Sequence, residues 1–73
     1  MDKKTLLKKF GKNVKIARIK KDLTQEKLAE IMNVSQNYVA NIECGKANMS
    51  LAKIYELAEF LNTEISSLIL FEN

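Results

Sequence analysis

The 73-residue chain has no proline, no tryptophan and no histidine, only two glycines, and a single cysteine, Cys44. Each absence narrows the possibilities. Without proline, and with glycine confined to Gly11 and Gly45, little interrupts helix formation, and the abundant straight-chain residues favour an all-α fold. One cysteine cannot close an internal disulfide, and the lack of histidine removes the commonest metal ligand. No metal or cofactor is expected. There is also no histidine base, no Gly-rich phosphate cradle and no paired cysteines, so no enzyme constellation emerges. No apolar run reaches the length of a membrane span, and the first twenty residues lack the continuous apolar core of a signal peptide. A soluble, cytoplasmic protein is the expectation. At this length residues 1–73 form one domain with a small core, for which oligomerisation is the remaining staple.

What is abundant is lysine, and it is unevenly placed. Residues 1–21 hold nine cations against Asp2 alone, a net charge of +8, whereas residues 22–73 hold three cations against eight acids, a net charge of −5. The basic end reads either as a surface facing phosphates or as a solvated helix face.

Hydrophobic spacing predicts a first helix from near Asp2 to about Lys21 with Leu6, Phe10, Val14 and Ala17 as its core stripe. Ile16 and Ile19 fall off that stripe. The segment 24–45 then reads as two short helices joined by a tight turn. Thr24 and Ser35 are placed as N-caps, and Asn33 stands where the turn requires a left-handed backbone. The second helix spans Gln25 to Met32 and buries Leu28, Ala29 and Met32. The third spans Gln36 to Glu43, with Val39, Ile42 and Glu43 on one arc and Gln36, Asn37, Ala40 and Asn41 on the other. An amide presents a donor and an acceptor on one plane, matching the major-groove edge of adenine, and Ala40 leaves room for a thymine methyl. Gly45 suits a left-handed C-terminal cap. Ser50 caps a fourth helix from Leu51 to about Leu61, with Leu51, Ile54, Leu57, Ala58 and Leu61 inward, and Asn62 marks a left-handed exit. A short fifth helix carries Ile65 and Leu68.

Leu23-Thr24-Gln25, Leu28-Ala29, Val34-Ser35, Val39, Ile42-Glu43 and Gly45-Lys46 resemble the helix-turn-helix of Xre-type (Cro/cI-like) bacterial and phage regulators, and the resemblance extends from about Phe10 to Leu68. It implies a compact five-helix, lambda-repressor-like DNA-binding domain whose third helix, residues 36–43, enters the major groove. By the same resemblance Gln36, Asn37 and Asn41 are base contacts, and Gln25, Tyr38, Lys46 and Asn48 are phosphate contacts. Arg18 matches the position that supplies a partner for the buried Glu43. The reading face lacks Lys and Arg, unlike relatives that read guanine with Arg, which points to A·T pairs or to DNA shape. Asp22 stands where the family often has glycine. Cys44 is expected to be small, reduced and semi-buried.

Ile69, Leu70 and Phe71 make an apolar terminus that either folds back over the core or, with Tyr55 and Phe60, forms a homodimer interface. A dimer would recognise a palindromic operator on double-stranded DNA. The chain ends soon after the fifth helix, so regulation through concentration and dimerisation is expected, with no sensing domain. This economy resembles phage repressors, restriction-modification controller proteins and small antitoxins, and residues 48–62 with the short apolar tail look most like the controllers. Whether the protein activates or represses is left open. The alternative reading is a protein-interaction module, an antitoxin or adaptor using the same fold.

Overall fold

A computed structural model describes residues 1–71, so the last two positions of the expected 1–73 domain lie outside the described residues. Its helices begin where the sequence supplies side-chain acceptors for the orphan N–H groups of a first turn. Asp2 accepts from the Thr5 amide at 2.8 Å, Thr24 from Lys27 at 3.0 Å, Ser35 from Tyr38 at 3.0 Å and Ser50 from Lys53 at 3.2 Å. These caps open α1 (Lys3–Lys20), α2 (Gln25–Met32), α3 (Gln36–Glu43) and α4 (Leu51–Phe60), while α5 (Ile65–Ile69) follows Glu64 without a side-chain cap. The Asp2 carboxyl lies below its ordinary pKa range, chiefly because the Thr5 amide donates to its charged form.

The first four helices also end alike. Asp22, Asn33, Gly45 and Asn62 take φ values of 57°, 59°, 79° and 51°. The residue after each donates back across the last turn: Leu23 to Arg18, Val34 to Ala29, Lys46 to Asn41 and Thr63 to Ala58. This is the Schellman arrangement, which satisfies carbonyls that the helix leaves open. Glycine occupies one of the four positions, and asparagine and aspartate tolerate the left-handed backbone at the others.

The core is built from all five helices: Phe10 and Val14, Leu28 and Ala29, Val39 and Ile42, Leu57, Ala58 and Leu61, and Leu68. Two residues assigned to it from spacing lie outside. Leu6 is 39% exposed and Leu51 is 69% exposed. Both sit in the first turn of a helix, and Leu6 lines an open recess with Phe10, Met49, Ile69 and Phe71 that leaves part of it in solvent. Ala17, Ile54, Ile65 and Met32 pack against the core as half-buried residues, and Ile16 and Ile19 are exposed. The terminal segment turns back. Phe71 packs against the core, and the Asn13 amide donates to the carbonyls of Leu68 at 2.9 Å and Leu70 at 3.1 Å. Among the described residues no helix is long and apolar enough to cross a membrane.

Candidate nucleic-acid interface

The turn between α2 and α3 is Asn33-Val34-Ser35, held by the left-handed Asn33 and by the Ser35 cap. It fixes two eight-residue helices at an angle that leaves one face of α3 uncovered. Val39 and Ile42 point into the core, at 0% and 1% exposure, so the opposite arc must face outward. Gln36 and Asn37 are exposed on it, and Ala40 and Asn41 are half-buried along its edge. This arc holds amides and a methyl and no formal charge.

Behind that face lies a polar cluster. Glu43, at the end of α3, keeps only 3% of its side chain exposed, and Arg18 on α1 keeps 10%. Arg18 Nε donates to Glu43 Oε2 at 2.7 Å and Nη2 donates to Oε1 at 3.1 Å, a bidentate grip on the carboxylate. Its Nη1 donates to the Leu23 carbonyl at 2.6 Å, tying in the segment between α1 and α2. Gln25, the first residue of α2, completes the cluster by donating Nε2 to Glu43 Oε1 at 3.1 Å. No buried side-chain N or O among the described residues is left without a partner.

The expected phosphate contacts are therefore in different situations. Gln25 has one amide hydrogen directed at Glu43, and the other remains for a ligand at the start of α2, where the helix dipole favours anions. Lys46 and Asn48 are exposed on the loop after α3. Tyr38 is half-buried, and its ring faces a recess between α2 and α4 beside Met32, Met49 and Phe60. That recess offers apolar surface for the ring. Cys44 is exposed and not semi-buried, since it caps α3 on the side away from Val39 and Ile42.

Sequence reading missed two positions. Gly11, in the middle of α1, touches the C-terminal end of α3 so closely that a Cβ there would sit 2.4 Å from the Ile42 carbonyl oxygen and 2.6 Å from that of Glu43. A glycine inside a helical pattern is the available signal, because its propensity penalty implies a packing reason. Asn13, which holds the carbonyls after α5, gave no signal. Of the expected dimer residues, Tyr55, Phe60, Ile69 and Leu70 are exposed, while Phe71 is half-buried and packs against the core.

Known proteins share this arrangement. Residues 14–68 match the HTH_3 helix-turn-helix family. The chain is 35% identical over 69 residues to control protein C.SmaI of Serratia marcescens, covering 94% of this chain and 79% of that protein. It is 36% identical over 59 residues to an immunity repressor protein of Bacillus phage phi105, covering 81% of this chain but only 41% of the repressor. Among solved structures, the restriction-modification controller protein C.AhdI from Aeromonas hydrophila superposes with a TM-score of 0.78 at 39% identity, covering 85% of this chain and 94% of that one. The hypothetical transcription factor NHTF from Neisseria superposes with a TM-score of 0.83 at 27% identity, covering 96% and 80%. The motif, its geometry and these relatives agree, and the chain belongs to the HTH_3 family of Xre-type helix-turn-helix DNA-binding regulators.

Proposed function

We propose that the protein is a cytoplasmic transcriptional regulator that binds a palindromic operator as a homodimer, with α3 of each protomer in the major groove. The observation that carries this reading is the outward arc of α3, where Gln36 and Asn37 stand exposed over a core-facing Val39 and Ile42. Gln36, Asn37 and Asn41 face base edges. Gln25, Lys46 and Asn48 hold phosphates on either side of the groove, and Tyr38 contributes through its hydroxyl if its ring swings from the α4 recess. Phosphate contacts fix the register, and the amides read A·T-containing sequence.

One domain spans only a few base pairs. Two would read half-sites roughly 34–36 Å apart and double the phosphate contacts that dominate affinity. The exposed Tyr55, Phe60, Ile69 and Leu70 supply apolar surface for the dimer contact. Control of a restriction-modification operon is the favoured role, since a control protein and a restriction-modification controller are relatives that this chain spans over 79% and 94% of their length.

Selection of duplexes from a random pool, with the stoichiometry of the complex measured alongside, tests the proposal. The expected result is a palindromic, A·T-containing motif occupied by two chains. Enrichment of no sequence, or a one-to-one complex on an asymmetric site, would overturn it.

A further inference from the structure

The lysines of α1 are not equivalent. At 3.6 residues per turn, Lys4, Lys8, Gly11, Lys15 and Arg18 follow one another at alternating spacings of four and three and form a single stripe within an arc of about 80°. Two members of that stripe are fixed against the end of α3. Gly11 abuts the carbonyls of Ile42 and Glu43, and Arg18 grips the Glu43 carboxylate. A third lies against the following loop: the position of a Cβ on Gly45 is 2.9 Å from Lys8 Cα. The stripe thus runs along the C-terminal end of α3 and beside the segment that carries Lys46 and Asn48. The opposite flank of α1 is marked by Asn13, which bonds the carbonyls of Leu68 and Leu70. Lys12 and Lys20 fall between that flank and the outward side.

We propose that Lys4, Lys8 and Lys15 are DNA-phosphate contacts that extend the interface along α1 beyond the helix-turn-helix, while Lys12 and Lys20 take no part in it. The proposal rests on α3 being the recognition helix. All three lysines are exposed, and α1 itself carries no acidic residue; the nearby acid is its N-cap Asp2, which attracts Lys8 electrostatically but whose carboxylate accepts from the Thr5 amide. Lys4 and Lys8 are about 6 Å apart along the helix axis and Lys8 and Lys15 about 10 Å, so the row samples the backbone at several points. An ammonium on a long stem suits this task, because a phosphate needs charge without a fixed approach direction. The consequence is a footprint wider than the recognition helix alone gives, with the added contacts blind to sequence.

The salt dependence of binding distinguishes the two flanks. A short mixed-sequence duplex, titrated by fluorescence anisotropy over a series of potassium chloride concentrations, is compared for the unsubstituted protein, K8Q/K15Q and K12Q/K20Q. Both variants lose the same charge on exposed helix positions, and circular dichroism checks that each stays folded. K8Q/K15Q should lower the magnitude of the log–log salt slope by about 0.9 per lysine for each protomer bound, whereas K12Q/K20Q should leave the slope unchanged. Equal changes in the two variants, or no change in K8Q/K15Q, would overturn the assignment of the stripe. Failure of the unsubstituted protein to bind duplex at any salt concentration would overturn the recognition-helix reading as well.

Discussion

The carboxylate of Glu43 is held by two nitrogens of Arg18, at 2.7 and 3.1 Å, with only 3% of the Glu43 side chain open to solvent. An ion pair so enclosed resists the loss of one partner more than the loss of both. Arg18→Ala leaves a buried carboxylate and an unbonded Leu23 carbonyl, and should lower stability by about 3–5 kcal/mol. A domain of this size holds together by roughly that amount, so the variant is expected to be largely unfolded near room temperature. Urea titration followed by circular dichroism measures it. Adding Glu43→Leu should restore part of the loss, because the uncompensated charge is then gone. A melting point for Arg18→Ala equal to that of the parent would count against the pair as a structural support.

Gly11 offers a test in which the usual sign is reversed. In an exposed helix interior, glycine to alanine stabilises by about 1 kcal/mol through propensity. Here the new methyl would meet the Ile42 and Glu43 carbonyl oxygens at 2.4 and 2.6 Å, and these are backbone atoms of the recognition helix that cannot rotate aside. Gly11→Ala should therefore destabilise by roughly 1–3 kcal/mol, as overpacking does, and push α3 away from α1. Thermal unfolding reads the first effect. A drop in DNA affinity at temperatures where the variant remains folded reads the second.

The helix boundaries were legible because they depend on local chemistry. Thr24, Ser35 and Ser50 are hydroxyl caps followed by apolar periodicity, and Asn33, Gly45 and Asn62 are residue types that accept a left-handed backbone. The exposed amide arc of α3 was legible for the same reason, since Val39 and Ile42 determine which side is buried. What failed depends on where elements end against one another. Leu6 and Leu51 continue their stripes in sequence but stay exposed, Leu6 on the rim of an open recess shared with Phe10, Met49, Ile69 and Phe71. The Asn13 clamp joins positions more than fifty residues apart, a separation on which helical periodicity is silent, and for the same reason the pattern left open whether the tail with Phe71 folds back over the core or forms an interface. For Tyr38, at the edge of the amide arc, periodicity is silent on the recess beside α4 that its ring lines.

Among the described residues, Asp22 is the least favourable of the three non-glycine residues with positive φ, at 57°. Aspartate tolerates this conformation less well than glycine, and its amide already serves the Ile19 carbonyl at 2.9 Å, so a glycine keeps the bond and relieves the Cβ. The extra freedom glycine gives the unfolded chain offsets part of the gain. Asp22→Gly should raise stability by about 0.5–1 kcal/mol, and Asn33→Gly by less, because asparagine is already well suited. A loss of stability in Asp22→Gly would mean that the aspartate side chain contributes something at the α1–α2 junction beyond tolerating its backbone.

The reading face can be separated from the fold because its residues are exposed or edge-lying and the core beneath them is not. Gln36 is exposed and Asn41 half-buried, and neither side chain belongs to the Arg18–Glu43–Gln25 cluster. Replacing both with alanine removes the amide donors and acceptors but keeps the Ser35 cap, Val39 and Ile42. Helicity and melting temperature should therefore stay close to the parent. Each bidentate base contact discriminates by about 1–3 kcal/mol, so losing two should reduce preference for the selected operator over random duplex by roughly 30-fold or more. Nonspecific affinity and its salt slope, which come from phosphate contacts, should change little. Competition binding between operator and random duplex measures the ratio directly. Retention of the full preference in Gln36→Ala/Asn41→Ala would place sequence reading elsewhere, in DNA shape or in the loop around Lys46 and Asn48.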